Sequence, residues 1–189
     1  MKVCLLILTI CLIGCTSQQA SNASKVILGN KRLTSIPDSV LEMKYLEYLD
    51  LSNRVIIRAT STFYRISLND SANRIKRLPS ELINMQKLRI LLLGAVGLES
   101  IPDDFHALRN LDTLDLSFNS KLKVVDAVDE LAQMYHLKLL VLTGVSGKKE
   151  EFAHLEHLLP NTKVVSSIDQ YIEVVSSSAH NMGFTPSGH

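Results

Sequence analysis

Residues 111–122 read LDTLDLSFNSKL, with leucine at 111, 114, 116 and 122. The gaps of three, two and six fit neither an amphipathic helix, which repeats near 3.6 residues, nor a half-buried strand, which repeats at two. So much leucine in neither pattern calls for an architecture that joins two periods in one unit.

The same gaps recur along the chain. Leu46-Leu49-Leu51, Leu88-Leu91-Leu93 and Leu137-Leu140-Leu142 match, and Phe63-Ile66-Leu68 matches with substitutions. The starts fall at 46, 63, 88, 111 and 137; extrapolation adds Ala23 with Val26 and Leu28, and Pro160 with Lys163 and Val165. A second block fixes the phase. Ile36-Pro37 leads to Val40, Met43 and Leu46; Leu78-Pro79 to Leu82, Met85 and Leu88; Ile101-Pro102 to Phe105, Leu108 and Leu111. These recurrences define an internal repeat of about 23 residues.

Residues 23–165 resemble the leucine-rich repeat family on this motif. The resemblance implies an α/β solenoid of about seven short strands. A curved parallel sheet lines its concave side, and 3₁₀ or short helical segments line its convex side. Each Leu-x-Leu is a strand with its leucines inward. The three-residue spacing suits a 3₁₀-like return, in which i and i+3 eclipse, and proline opens that return with φ already set. One repeat cannot bury its leucines alone, so neighbours must stack.

The fit is uneven. Of the positions where the family places an asparagine, only 73 and 119 hold one; Lys31, Arg54, Val96 and Val145 stand elsewhere. The stretch 52–70 splits into repeats of about 17 and 25 residues, which predicts a distorted coil or bulged turn there. AVDELAQMYHL and KKEEFAHLEHLL read as true outer helices. Ser167 and Gln170 form a candidate capping box. Ile168, Tyr171, Ile172 and Val175 then follow at helical spacing, which predicts a short cap helix over 166–175, placed to cover the last coil's open edge. The remaining 176–189 is polar and reads as disordered.

The 189-residue chain carries 20 basic and 19 acidic residues, a balance that gives no electrostatic case for nucleic acid. Its three cysteines, Cys4, Cys11 and Cys15, all precede residue 16, which excludes a disulfide framework within the repeat domain. The start, MKVCLLILTICLIGC, has one lysine and an apolar run too short for an ordinary membrane span, and reads as a signal segment over 1–14. Leu12-Ile13-Gly14-Cys15 resembles the lipobox of bacterial lipoproteins. That resemblance implies lipidation of Cys15, a membrane anchor in the cell envelope, and an outer-membrane or cell-surface address from Thr16. Residues 15–22 then form a tether.

No catalytic signature stands up. His154 and His157 lack a third ligand of known spacing, Asp112 and Asp115 fit two exposed positions on one strand, and no nucleotide-binding glycine loop is present. The expectation is a non-catalytic protein without cofactor or metal. Its candidate surface is the strand positions that face away from the leucines: Tyr48, Asp50, Arg65, Ile90, Leu92, Thr113, Asp115, Leu139 and Val141, with Tyr64 beside them. Clustered aliphatics on such a face mark a contact surface for a protein or a glycan; the alternative is that the C-terminal tail covers them. An envelope scaffold with no external partner is the competing function, and a recognition subunit of an enzyme or effector is a third.

Overall fold

The computed structural model describes residues 23–59 and 64–182. The expected signal segment 1–14, Cys15 with its tether, and the tail beyond Met182 lie outside them.

The eight strands are β1 (Lys25–Ile27), β2 (Tyr48–Asp50), β3 (Ile56–Ala59), β4 (Tyr64–Ser67), β5 (Ile90–Leu92), β6 (Thr113–Asp115), β7 (Leu139–Val141) and β8 (Lys163–Val165). Six of them stack in parallel in the order β1-β2-β5-β6-β7-β8. The middle residues, Val26, Leu49, Leu91, Leu114, Leu140 and Val164, stand in register and point into one core. Leu91, Leu93, Leu114 and Leu116 are fully buried, as the repeat phase requires.

The return segments vary with sequence. Pro37 and Pro79 precede α1 (Asp38–Leu41) and a 3₁₀ turn (Ser80–Asn84), each proline extended and contributing no N–H to leave unpaired. A second 3₁₀ turn covers Phe105–Ala107. Phe105 fills the place that Val40 and Leu82 take in the coils before it. The longer repeats afford α2 (Val124–Ala132) and α3 (Lys149–Leu158), the expected outer helices.

Both asparagines act as ladder rungs. Asn119 Nδ2 donates to the carbonyls of Leu93 and Leu116, and its Oδ1 accepts the N–H groups of Gly97 and Leu98. Asn73 does the same one coil pair earlier: Nδ2 donates to Leu28 and Leu51, and Oδ1 accepts from Lys31 and Leu33. Asn73 therefore closes the coil of β2, although it lies 22 residues past Leu51 where Asn119 lies three past Leu116.

That displacement overturns the sequence reading of 52–70. The strand expected there, Tyr64–Ser67, does not join the coil stack. β4 pairs antiparallel with β3, in register Ile56↔Ser67 to Ala59↔Tyr64, as a separate two-stranded sheet, and β2 pairs directly with β5. The stretch 54–72 is a 19-residue insertion between Asn53 and Asn73, and the third of the seven expected strands leaves the parallel sheet with it. The base of the insertion is pinned. The Asn73 N–H donates to Asn53 Oδ1 at 2.6 Å, and Asn53 Nδ2 donates to the carbonyls of Asn73 and Ala95 at 2.9 and 2.8 Å.

The C-terminal helix α4 spans Ile168–Met182, well past the expected end at 175. Its capping box forms: Gln170 Oε1 accepts the Ser166 and Ser167 N–H groups, and Ser167 Oγ accepts from Gln170 N–H. Among the described residues, no side chain of α4 joins the core cluster, whose last member is Val164. Ile168 and Tyr171 are half-buried while Ile172 and Val175 stay 40% and 42% exposed, so only part of the expected apolar flank packs.

Candidate functional site: the concave face

Register gives the face away from the core two rows. The first holds Lys25, Tyr48, Ile90, Thr113, Leu139 and Lys163; the second holds Ile27, Asp50, Leu92, Asp115, Val141 and Val165. The expected site residues fall on these rows except Arg65, which lies in β4 of the separate hairpin together with Tyr64. That correction follows from the pairing: only a strand in the parallel stack can contribute to its concave side.

The first row is open. Tyr48, Ile90, Thr113 and Leu139 are half-buried, and Tyr48, Ile90 and Thr113 line a shallow hollow of about 360 Å³ with Glu47, Arg89 and Asp112. Lys25 Nζ sits 4.2 Å from the centre of the Tyr48 ring, a cation–π contact. Burial, then the charge of Asp50, pushes the Tyr48 hydroxyl up to about 12, so it stays a neutral donor. At the rim, Asp112 is clamped by Lys138 Nζ at 2.9 Å and by the Arg89 guanidinium, with Nε at 2.8 Å. The Lys138 hydrogen bond, followed by that of Arg89, holds the Asp112 carboxyl below the usual carboxylate range despite some burial. A larger hollow of about 540 Å³ lies on the convex side between Asp38, Leu41, Pro79 and Glu81, away from this face.

The second row differs. Asp50 and Asp115 each accept the backbone N–H of the serine two residues on, Ser52 and Ser117, at 2.9 and 2.8 Å. Burial pushes both carboxyls above the ordinary range against those hydrogen bonds, and the charge of Asp50 raises Asp115 further. Asp112 and Asp115, three apart in sequence, therefore shift in opposite directions and do not form a pair. At the far end, Val141 and Val165 are 4% and 0% exposed, although neither belongs to the core cluster. The chain that turns back after Val165 covers them. Thr143 Oγ1 donates to the Ser167 carbonyl at 3.1 Å, and Tyr171 meets Phe118 edge-to-face with centroids 5.0 Å apart. Val141 is thus not exposed as the strand pattern predicts; the turn at Ser167 and the start of α4 lie at this end, ahead of the expected tail at 176–189.

Sequence reasoning missed Phe118, Ser117 and Tyr171 as members of this surface. Tyr171 was visible only as a helix-face residue, and nothing in its spacing points to Phe118. Among the described residues no group of histidine, cysteine and carboxylate side chains could hold a metal, and His154 and His157 are exposed.

Three comparisons bear on these features. No protein-family model matches the chain. The adenylate cyclase of Schizosaccharomyces pombe is 31% identical over 98 residues, covering 49% of this chain and 6% of that protein. The solved structure of a leucine-rich repeat protein of Leptospira interrogans superposes with a TM-score of 0.50 at 22% identity, covering 76% of this chain and 37% of that one. This chain thus spans about a third of that structure and a small part of the cyclase. Parallel six-strand stacking, short outer segments and this superposition together establish the fold as an α/β solenoid of the leucine-rich repeat type.

Proposed function

We propose that the protein is a non-catalytic binding module, anchored to the bacterial cell envelope through lipidated Cys15, that presents the open part of its concave face to a protein partner. The observation that carries this reading is the run of Tyr48, Ile90, Leu92, Thr113 and Leu139. These are half-buried apolar and aromatic side chains side by side on the face that has no core duty. Strands lie about 4.8 Å apart, so the side chains make one surface rather than scattered spots. Tyrosine next to aliphatic neighbours is the composition of an interface anchor. A glycan is the alternative ligand for the same surface. The lipid anchor rests on the lipobox residues alone, and among the described residues no helix is long and apolar enough to cross a membrane.

Leu92→Glu tests the face. It places a charge at the centre of the patch without touching Leu91 or Leu93. Capture of a cell-envelope partner by the mature protein should fall to background while the chain still melts cooperatively, at a temperature lowered by repulsion from Asp50 and Asp115, which flank position 92 in register. Unfolding by this substitution would show that Leu92 serves the core, and the face assignment would fail. In the same strain, Cys15→Ser should leave unprocessed precursor. A mature N-terminus at another residue, read by mass spectrometry, would remove the anchor from the proposal.

A further inference from the structure

The contact between α4 and the concave face has the form of a ligand in a receptor. Phe118 adopts the left-handed conformation, φ 58°, and its N–H donates to the Thr143 carbonyl at 2.6 Å. Its ring rests over Gly144, φ 74°, where an added Cβ would stand 3.0 Å from the ring edge. Few residues other than glycine tolerate that backbone or that approach. The ring is thus seated against the backbone of the next coil as well as against α4. The buried Ser117 precedes Phe118 in the chain, and the neighbouring strands carry two buried aliphatic side chains, Val141 and Val165, that the core does not use.

The ligand side is lightly held. α4 delivers Tyr171 onto Phe118 at an interplanar angle of 81°, while Ile172 and Val175 on the same helix remain exposed. A structural cap would bury that flank, because apolar area left in water contributes nothing to stability. Among the described residues, no side chain of α4 belongs to the core cluster. Anchor-residue docking of an amphipathic helix in a groove is a general recognition mode.

We propose that the concave face from Phe118 to Val165 is a receptor groove for an amphipathic helix anchored by one aromatic side chain, and that α4 is its built-in occupant, displaced when a partner helix binds. The groove is a second contact surface at the covered end of the sheet, distinct from the open patch around Leu92. The groove recognises a helix with an aromatic residue at the Tyr171 position, ring edge to Phe118.

A fluorescein-labelled synthetic peptide of residues 167–182 is the probe, titrated by anisotropy into the full-length chain. The Tyr171→Ala chain, with its own occupant weakened, should bind the peptide about tenfold more tightly than the wild-type chain, the scale of one aromatic pair. Phe118→Ala added to that chain should abolish the gain. A peptide carrying Tyr171→Ala should lose it too, and that arm involves no change to the protein's folding. Equal affinity of the two chains, or binding indifferent to the peptide's tyrosine, would overturn the groove. Leu92→Glu lies outside this contact, which separates the two readings. If Leu92→Glu abolishes partner capture while the peptide shows no gain, the concave face stands and the groove falls. If the peptide behaves as expected while Leu92→Glu has no effect, the groove stands and the open patch falls.

Discussion

Asp115 shows how one carboxylate can work against the fold that holds it. Burial raises its folded-state pKa above the unfolded value, so between the two values the native chain holds a proton that the unfolded chain has released. Stability therefore falls as pH rises through that window, and the cost is fully present above the folded pKa. Acidification back through it restores the loss. Asp115→Asn keeps an acceptor for the Ser117 N–H and removes the charge. Its melting temperature at neutral pH should match or exceed that of the unaltered chain. Its melts, followed from neutrality down into the carboxylate range, should show a flatter pH slope. A lower melting temperature at neutral pH would mean that the charge itself stabilises the fold. Asp112 has the opposite sign: its lowered pKa adds stability that is present above the ordinary carboxylate range and is lost as pH falls.

Among the elements, the hairpin β3–β4 is an appendage and the rung Asn73 is not. Joining Asn53 directly to Asn73, with 54–72 removed, should leave a chain that still melts cooperatively, because the coil of β2 keeps its rung and its neighbours on both sides. Asn73→Ala should do the reverse. It strips partners from two N–H groups and two carbonyls, and each buried group left unpaired costs about 1–3 kcal/mol. Circular dichroism melts of the two variants decide between these roles; a deletion that unfolds the chain would make the hairpin part of the solenoid. The coil phase was legible because proline followed by three-residue spacing recurs three times at one offset. The hairpin was not, because Phe63-Ile66-Leu68 copies the leucine spacing and alternation alone does not say what a strand pairs with. The better signal was the distance from Leu51 to Leu93, 42 residues where Leu28 to Leu51 takes 23. For α4 the capping box was legible from Ser167 and Gln170. Which surface Tyr171 meets depends on where the turn at Ser166–Ser167 sends the helix, and local sequence does not encode that direction.

Across the whole molecule, both ends of the parallel sheet are β-edges among the described residues, and both are blunted. β1 and β8 are three residues long, and each begins with a lysine, Lys25 and Lys163, which discourages a second chain from adding to the stack. Between those ends, stability is a chain of nearest-neighbour contacts. The insertion leaves the native contact between β2 and β5 intact but lengthens the loop that must close to make it. By the logarithmic dependence of closure entropy on length, 42 residues against 23 costs about 0.5 kcal/mol more, or about twofold in rate. Order of assembly should follow. The block from β5 to β8 zips first, and the two N-terminal coils join it last. In a pulse-labelled refolding experiment the Leu116 amide, bonded to the Val141 carbonyl, should gain protection before the Leu51 amide, bonded to that of Leu92. Simultaneous protection would rule this order out. During synthesis, where the N-terminus emerges first, the same insertion has a further effect. The two leading coils must wait, unsealed, until the ribosome has delivered Asn73 and the strand after it, so the newest part of the chain controls when the oldest part can fold.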